Sequence, residues 1–121
     1  MQYLLMLYEN EKLWANMTPE QGHAVMKDYD TFTKSIVTSG HYKGGNPLDP
    51  THTAKTVRVR DGKRETTDGP FAETREQLGG YYLIDAASMD EALDIAARVP
   101  GARTGSIEVR AIMQMPSGVG A

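Results

Sequence analysis

The alternation of apolar and polar positions divides the chain into a short series of elements. Tyr3 to Tyr8 is apolar on both alternating faces, Tyr3, Leu5 and Leu7 on one and Leu4, Met6 and Tyr8 on the other. This predicts a strand that needs cover on both sides. Glu9 to Met17 reads as a connecting loop from which Trp14 packs down. Thr18-Pro19-Glu20-Gln21 has the residues of a helix start. Thr18 caps it, Pro19 takes the first helical position, where a missing N–H costs nothing, and Gln21 closes a capping box. Val25, Tyr29, Phe32 and Ile36 then recur at helical spacing as a buried stripe, with Met26 and Val37 on its flank and His23, Lys27, Asp30 and Lys34 opposite. Ser39-Gly40 ends the helix.

His41 to Leu48 predicts an edge strand or irregular arm, broken by Gly44-Gly45 and ended by Pro47 and Pro50. Lys55 to Arg60 alternates strictly, and Asp61-Gly62 turns it into Lys63 to Thr66, a two-residue hairpin signal. Tyr81 to Asp85 is a second strand that is apolar on both faces. Ser88-Met89-Asp90-Glu91 opens another helix, with Met89, Leu93, Ala96 and Ala97 expected inward, and Pro100-Gly101 closes it. Ile107 to Met113 alternates as a last strand. Residues 1–115 are expected to form one domain and 116–121 a flexible tail.

Strand, helix, strand with a hairpin, strand, helix, strand is the βαββαβ order of a ferredoxin-like α+β sandwich with one added ribbon. Two helices cover one face of such a sheet, yet two of the strands are apolar on both. The uncovered face is therefore expected to meet a second copy, giving a homodimer through the sheet face, a dimeric α+β barrel.

Composition narrows the partners. Of 121 residues, 40% are hydrophobic and 24% charged, a globular profile. A net charge of −3 argues against a nucleic-acid-coating protein. With no cysteine there is no disulfide and no thiolate nucleophile. No apolar run approaches the roughly 18 residues of a membrane span, and the apolar start has no basic lead, so no membrane is expected and a cytoplasmic address follows.

The chemistry, if any, concentrates between Asp68 and Gly80. Asp68, before a Gly-Pro turn, is a candidate general base if a pocket desolvates it; the structural alternative, which the local chemistry favours, is that it accepts from the turn's own amides. Glu73, Arg75 and Glu76 could bind a small polar or anionic ligand, Arg75 forking onto a carboxylate, or could lock the loop as an ion-pair cluster. Phe71 is a wedge in a sheet-to-sheet core or a platform for that ligand. His23, His41 and His52 follow no metal-ligand spacing, and the glycine pairs form no phosphate loop, so neither metal nor cofactor is expected. Gly44-Gly45 and Gly79-Gly80 read as places where backbones come close. No Ser-His-Asp signature is evident.

Asp68-Gly69-Pro70-Phe71-Ala72-Glu73 with Arg75-Glu76, then Leu78-Gly79-Gly80-Tyr81-Tyr82 and Glu108-Val109-Arg110, resembles the DGPF-domain proteins of the YCII-related family over nearly the whole chain. The resemblance implies a dimeric α+β barrel. In YCII-related proteins a His-Asp pair has been read as an active site; here the one helical candidate, His23, falls on the polar face. Two functions follow as expectations. One is a homodimeric small-molecule-binding domain. The other, by analogy of fold, is a cofactor-independent enzyme in which Asp68 transfers a proton and Arg75 stabilises an anionic intermediate.

Overall fold

The computed structural model describes residues 1–116. Its strands are β1 (Gln2–Glu9), β2 (Tyr42–Pro47), β3 (Lys55–Arg60), β4 (Lys63–Asp68), β5 (Gln77–Asp85) and β6 (Ser106–Ala111). Its helices are α1 (Glu11–Ala15), α2 (Pro19–Thr38) and α3 (Met89–Ala97), with short 3₁₀ turns at Thr51–Thr53 and Pro100–Arg103. The main sheet has the order β2-β5-β1-β6, every pair antiparallel. This is the ferredoxin-like arrangement, with the β3-β4 hairpin inserted between the second and third strands of the sheet.

Local chemistry explains the boundaries. Thr18 accepts from the Gln21 amide at 3.2 Å while the Gln21 side chain accepts from the Thr18 amide at 3.0 Å, closing the capping box ahead of Pro19. Asp61 and Gly62, at φ 51° and 72°, supply the two positive values that a tight β3-β4 turn needs. The two glycine pairs divide their work. A Cβ on Gly45 would stand 2.9 Å from the Tyr81 carbonyl oxygen and one on Gly80 3.1 Å from that of Asn46, whereas Gly44 and Gly79 have room. One glycine of each pair lets β2 and β5 approach.

The core lies between the helices and one sheet face. Leu5, Ile36 and Ile84 are fully buried there, with Tyr3, Phe32, Ala92, Ile95 and Val99 around them. Burial of such side chains is worth about 2 kcal/mol each. The opposite face has no helix on it. Register puts Leu4 opposite Leu83 and Met6 opposite Tyr81, and Glu108 and Arg110 form a 2.7 Å ion pair at its β6 edge.

Two expectations need correction. Glu9 to Met17 contains a helix, α1, because the Asn10 side chain accepts from the Lys12 amide at 3.0 Å and so caps it. The inward face of α3 is Ala92, Ile95 and Ala96, while Met89, Leu93 and Ala97 are exposed. With apolar residues on most of its circumference, α3 turns its small side chains to the sheet, where they allow a close approach. Beyond Pro116 the expected tail lies outside the described residues.

Candidate functional site

The residues between Asp68 and Gly80 do not converge within one chain. Asp68 ends β4 with its side chain 86% exposed, and its carboxylate accepts from Lys55, its register partner across the hairpin, at 2.5 Å. Gly69, at φ 88°, gives its amide to the Ala54 carbonyl at 2.7 Å. Phe71 is 78% exposed, and Glu73 and Arg75 are exposed beside it. Glu76 alone turns back to the body, where Ser106 donates to its carboxylate at 2.8 Å, at the edge of a shallow hollow that includes Tyr8 and Glu108. Neither a desolvated base nor an amide-filled turn describes Asp68 here; a solvated cross-strand ion pair does.

The large concavity lies elsewhere. A cavity of about 550 Å³ opens between α1, α2 and the sheet end formed by β1, β2 and β5, with the loop from Leu48 to Pro50 at its rim. It falls within the range of small-molecule sites. Leu7 and Gly80 form its floor, and Met26, Tyr29 and Thr33 its α2 wall. Trp14 from α1, Tyr42 from β2 and Tyr82 from β5 add aromatic surface.

Several polar groups in this wall are held by named partners. The indole of Trp14 donates to Glu9 at 3.0 Å, and Thr104 donates to the other oxygen of the same carboxylate at 3.0 Å. Glu11 accepts from the amide and hydroxyl of Thr51, at 2.7 and 2.8 Å, which fastens α1 to the turn before the hairpin. Tyr82 shares a 2.8 Å hydrogen bond with Thr33 and meets Phe32 and Tyr42 edge-on, with centroids 5.3 and 6.4 Å away. Burial raises the Tyr82 phenol above its ordinary pKa. Burial, with the nearby Glu9 carboxylate adding to it, pushes Tyr29 up to about 12. Both phenols are therefore neutral groups at any physiological pH. Gly101 fits between the Glu9 carboxylate and the Tyr29 hydroxyl, where a Cβ would come within 2.6 and 2.7 Å of them.

A second polar cluster lies at the start of β2. His41 spans Ser39, at 2.6 Å from Nδ1, and Glu91, at 3.0 Å from Nε2. The Ala87 amide, and after it His41, holds the Glu91 carboxyl below its usual range. The hydroxyl of Ser39 is also 3.2 Å from the Ile36 carbonyl. The cluster ties the end of α2 to the start of α3 and borders no part of the cavity.

Sequence reasoning placed Tyr29 in a buried stripe and Tyr82 in a two-faced strand, and missed that both border a cavity. Trp14 was the available signal, a lone tryptophan after an Asn cap, but the expectation that it packs down is corrected: it is 38% exposed at the edge of the cavity, with no buried residue in α1. His23 is exposed on α2, as the stripe required.

A model of the YCII-related domain matches residues 1–116, and the chain belongs to that family. It is 42% identical over 112 residues to an uncharacterized protein of Rhizobium meliloti (strain 1021), covering 91% of this chain and 90% of the relative. Among solved structures it is similar to 5-chloro-2-hydroxyhydroquinone dehydrochlorinase (TftG) from Burkholderia phenoliruptrix AC1100, in complex with 2,5-dihydroxybenzoquinone. That likeness has 13% identity and a TM-score of 0.49, over 95% of this chain and 96% of the other. Among the described residues, no helix is long and apolar enough to cross a membrane.

Proposed function

We propose that this YCII-related chain is a small-molecule-binding domain that holds its ligand in the cavity between α1, α2 and the sheet, and that it works as a homodimer joined through the open sheet face. The observation that carries the binding role is the cavity itself, about 550 Å³ lined mainly by hydrocarbon and aromatic groups. Apolar concavities with a few oriented polar groups are the ordinary form of a small-molecule site. Titration with the neutral fluorophore N-phenylnaphthylamine should give saturable, one-to-one binding that Leu7→Trp, which fills the floor, weakens by at least about tenfold. Unsaturable binding, or equal binding by a folded Leu7→Trp protein, would sink the reading.

The dimer rests on two features. Leu4, Met6, Tyr8, Tyr81 and Leu83 form an apolar band on the sheet face that no helix covers. Apart from half-buried Thr56, the β3-β4 hairpin is exposed, with Val57 and Val59 59% and 63% exposed. Isolated two-stranded ribbons are marginal in water, so such an arm gains from a neighbour. Sedimentation should give twice the chain mass, and Leu83→Asp should give a folded monomer. A native protein that sediments as a monomer at micromolar concentration would end this part of the proposal.

A further inference from the structure

Whatever enters the cavity meets a field of one sign. The charged residues lining it are Glu9, Glu11, Asp30 and Asp49, and among the described lining residues there is no Lys, Arg or His. Glu9 and Glu11 are held by an indole, a backbone amide and two hydroxyls. Neutral donors orient a carboxylate without cancelling its charge. Asp30 is cancelled by Lys34, 2.8 Å away one turn along α2, so the carboxylates that lend the cavity its sign are those of Glu9, Glu11 and Asp49. Arg103, the cation felt at the Tyr29 phenol, is itself paired with Asp28 at 3.5 Å.

The walls are aromatic. Trp14, Tyr29, Tyr42 and Tyr82 reach the cavity from four different elements. The face of each such ring is the negative end of its quadrupole. The Tyr82 hydroxyl is engaged with Thr33, and the Trp14 N–H with Glu9. An anion entering here would shed water with no cation to replace it and carboxylates at the rim. A cation with an apolar body would set its hydrocarbon on Leu7 and Met26 and its charge among rings and carboxylates.

We propose that the cavity selects a hydrophobic organic monocation, such as an alkylated or aryl-substituted ammonium, over a neutral molecule of the same shape, and either over an anion. The inference rests on the cavity being the binding site. It replaces the anionic ligand expected on Arg75, whose side chain is exposed and does not line the cavity.

The test uses three probes of one body: naphthylmethyltrimethylammonium, its uncharged carbon isostere neopentylnaphthalene, and naphthylmethanesulfonate. Each is titrated against native protein carrying bound N-phenylnaphthylamine, and displacement is followed by the loss of its fluorescence. The cation should displace at about tenfold lower concentration than the neutral isostere, and the sulfonate should require about tenfold more than that isostere. Replacing the exposed rim acid Asp49 by Asn should narrow the gap between cation and sulfonate about threefold, with the fold intact by circular dichroism. Equal displacement by all three, absent displacement, or the sulfonate as the strongest competitor overturns the charge selection while N-phenylnaphthylamine binding keeps the site. Failure of N-phenylnaphthylamine itself to bind overturns the site and the selection together.

Discussion

Under α3 the sheet meets Ala92, Ile95 and Ala96, side chains short enough to let the helix settle onto β1 and β6 until Leu5 and Val99 are sealed. Under the middle turns of α2 the same sheet face meets Tyr29 and Thr33, and about 550 Å³ remains open beside Leu7. The strand is continuous through both regions. What differs is the size and the polar tips of the side chains facing it: a Tyr hydroxyl has to find a partner, and in finding Thr33 or the neighbourhood of Glu9 it props helix and sheet apart. Close packing gives the first region its stability, and imperfect closure gives the second its candidate function.

The sharpest way to break this comparison is to make one change twice. Leu5 and Leu7 face the same side of β1, one fully buried and the other on the cavity floor. Leu5→Ala should cost about 3 kcal/mol in chemical denaturation, because the rigid surroundings retain the void. Leu7→Ala should cost about 1 kcal/mol, since the space it vacates adjoins one already open to solvent. Equal losses would mean that the open half is closed in solution.

A smaller effect tests the propping. Tyr82→Phe removes the hydroxyl that meets Thr33 and should cost about 1 kcal/mol by the same measurement. Its larger consequence should be on N-phenylnaphthylamine affinity, as Thr33 becomes free to turn into the cavity. A neutral effect on both would show that the hydrogen bond spaces nothing.

The smallest effect is confined to alkaline pH. Burial, with the Glu9 carboxylate beside it, pushes the Tyr29 phenol up to about 12 in the fold from the ordinary tyrosine value of 10.0, so the native state retains a proton that the unfolded chain gives up. Its contribution is fully present below pH 10 and is lost as pH rises towards 12. The melting temperature should fall across that window, and Tyr29→Phe should flatten part of the fall while leaving the curve near neutrality parallel to the native one. An unchanged alkaline slope would mean that the phenol is well solvated.

Much of the architecture was legible because it depends on near neighbours in the chain. Thr18-Pro19-Glu20-Gln21 is a cap by virtue of reach across three residues, and Asp61-Gly62 is a turn by virtue of backbone sterics. Tyr3 to Tyr8 and Tyr81 to Asp85 announce themselves as strands that need cover on both sides, being apolar on both faces. The face of α3 was misjudged where periodicity leaves two apolar arcs and only the sheet chooses between them. Asp68 illustrates the same limit: its partner, Lys55, is 13 positions away, and the hairpin register decides that they meet.

By itself the sequence determined the elements, their order and the existence of an apolar sheet face without a helix, because these follow from steric preference and from periodicity along a single strand or helix. Only the tertiary structure decided that Trp14, Tyr29, Tyr42 and Tyr82 border one space and that its rim is acidic. Those residues lie on four separate elements, and the distance between elements is set by which side chains fail to fit between them, a quantity that no local pattern encodes.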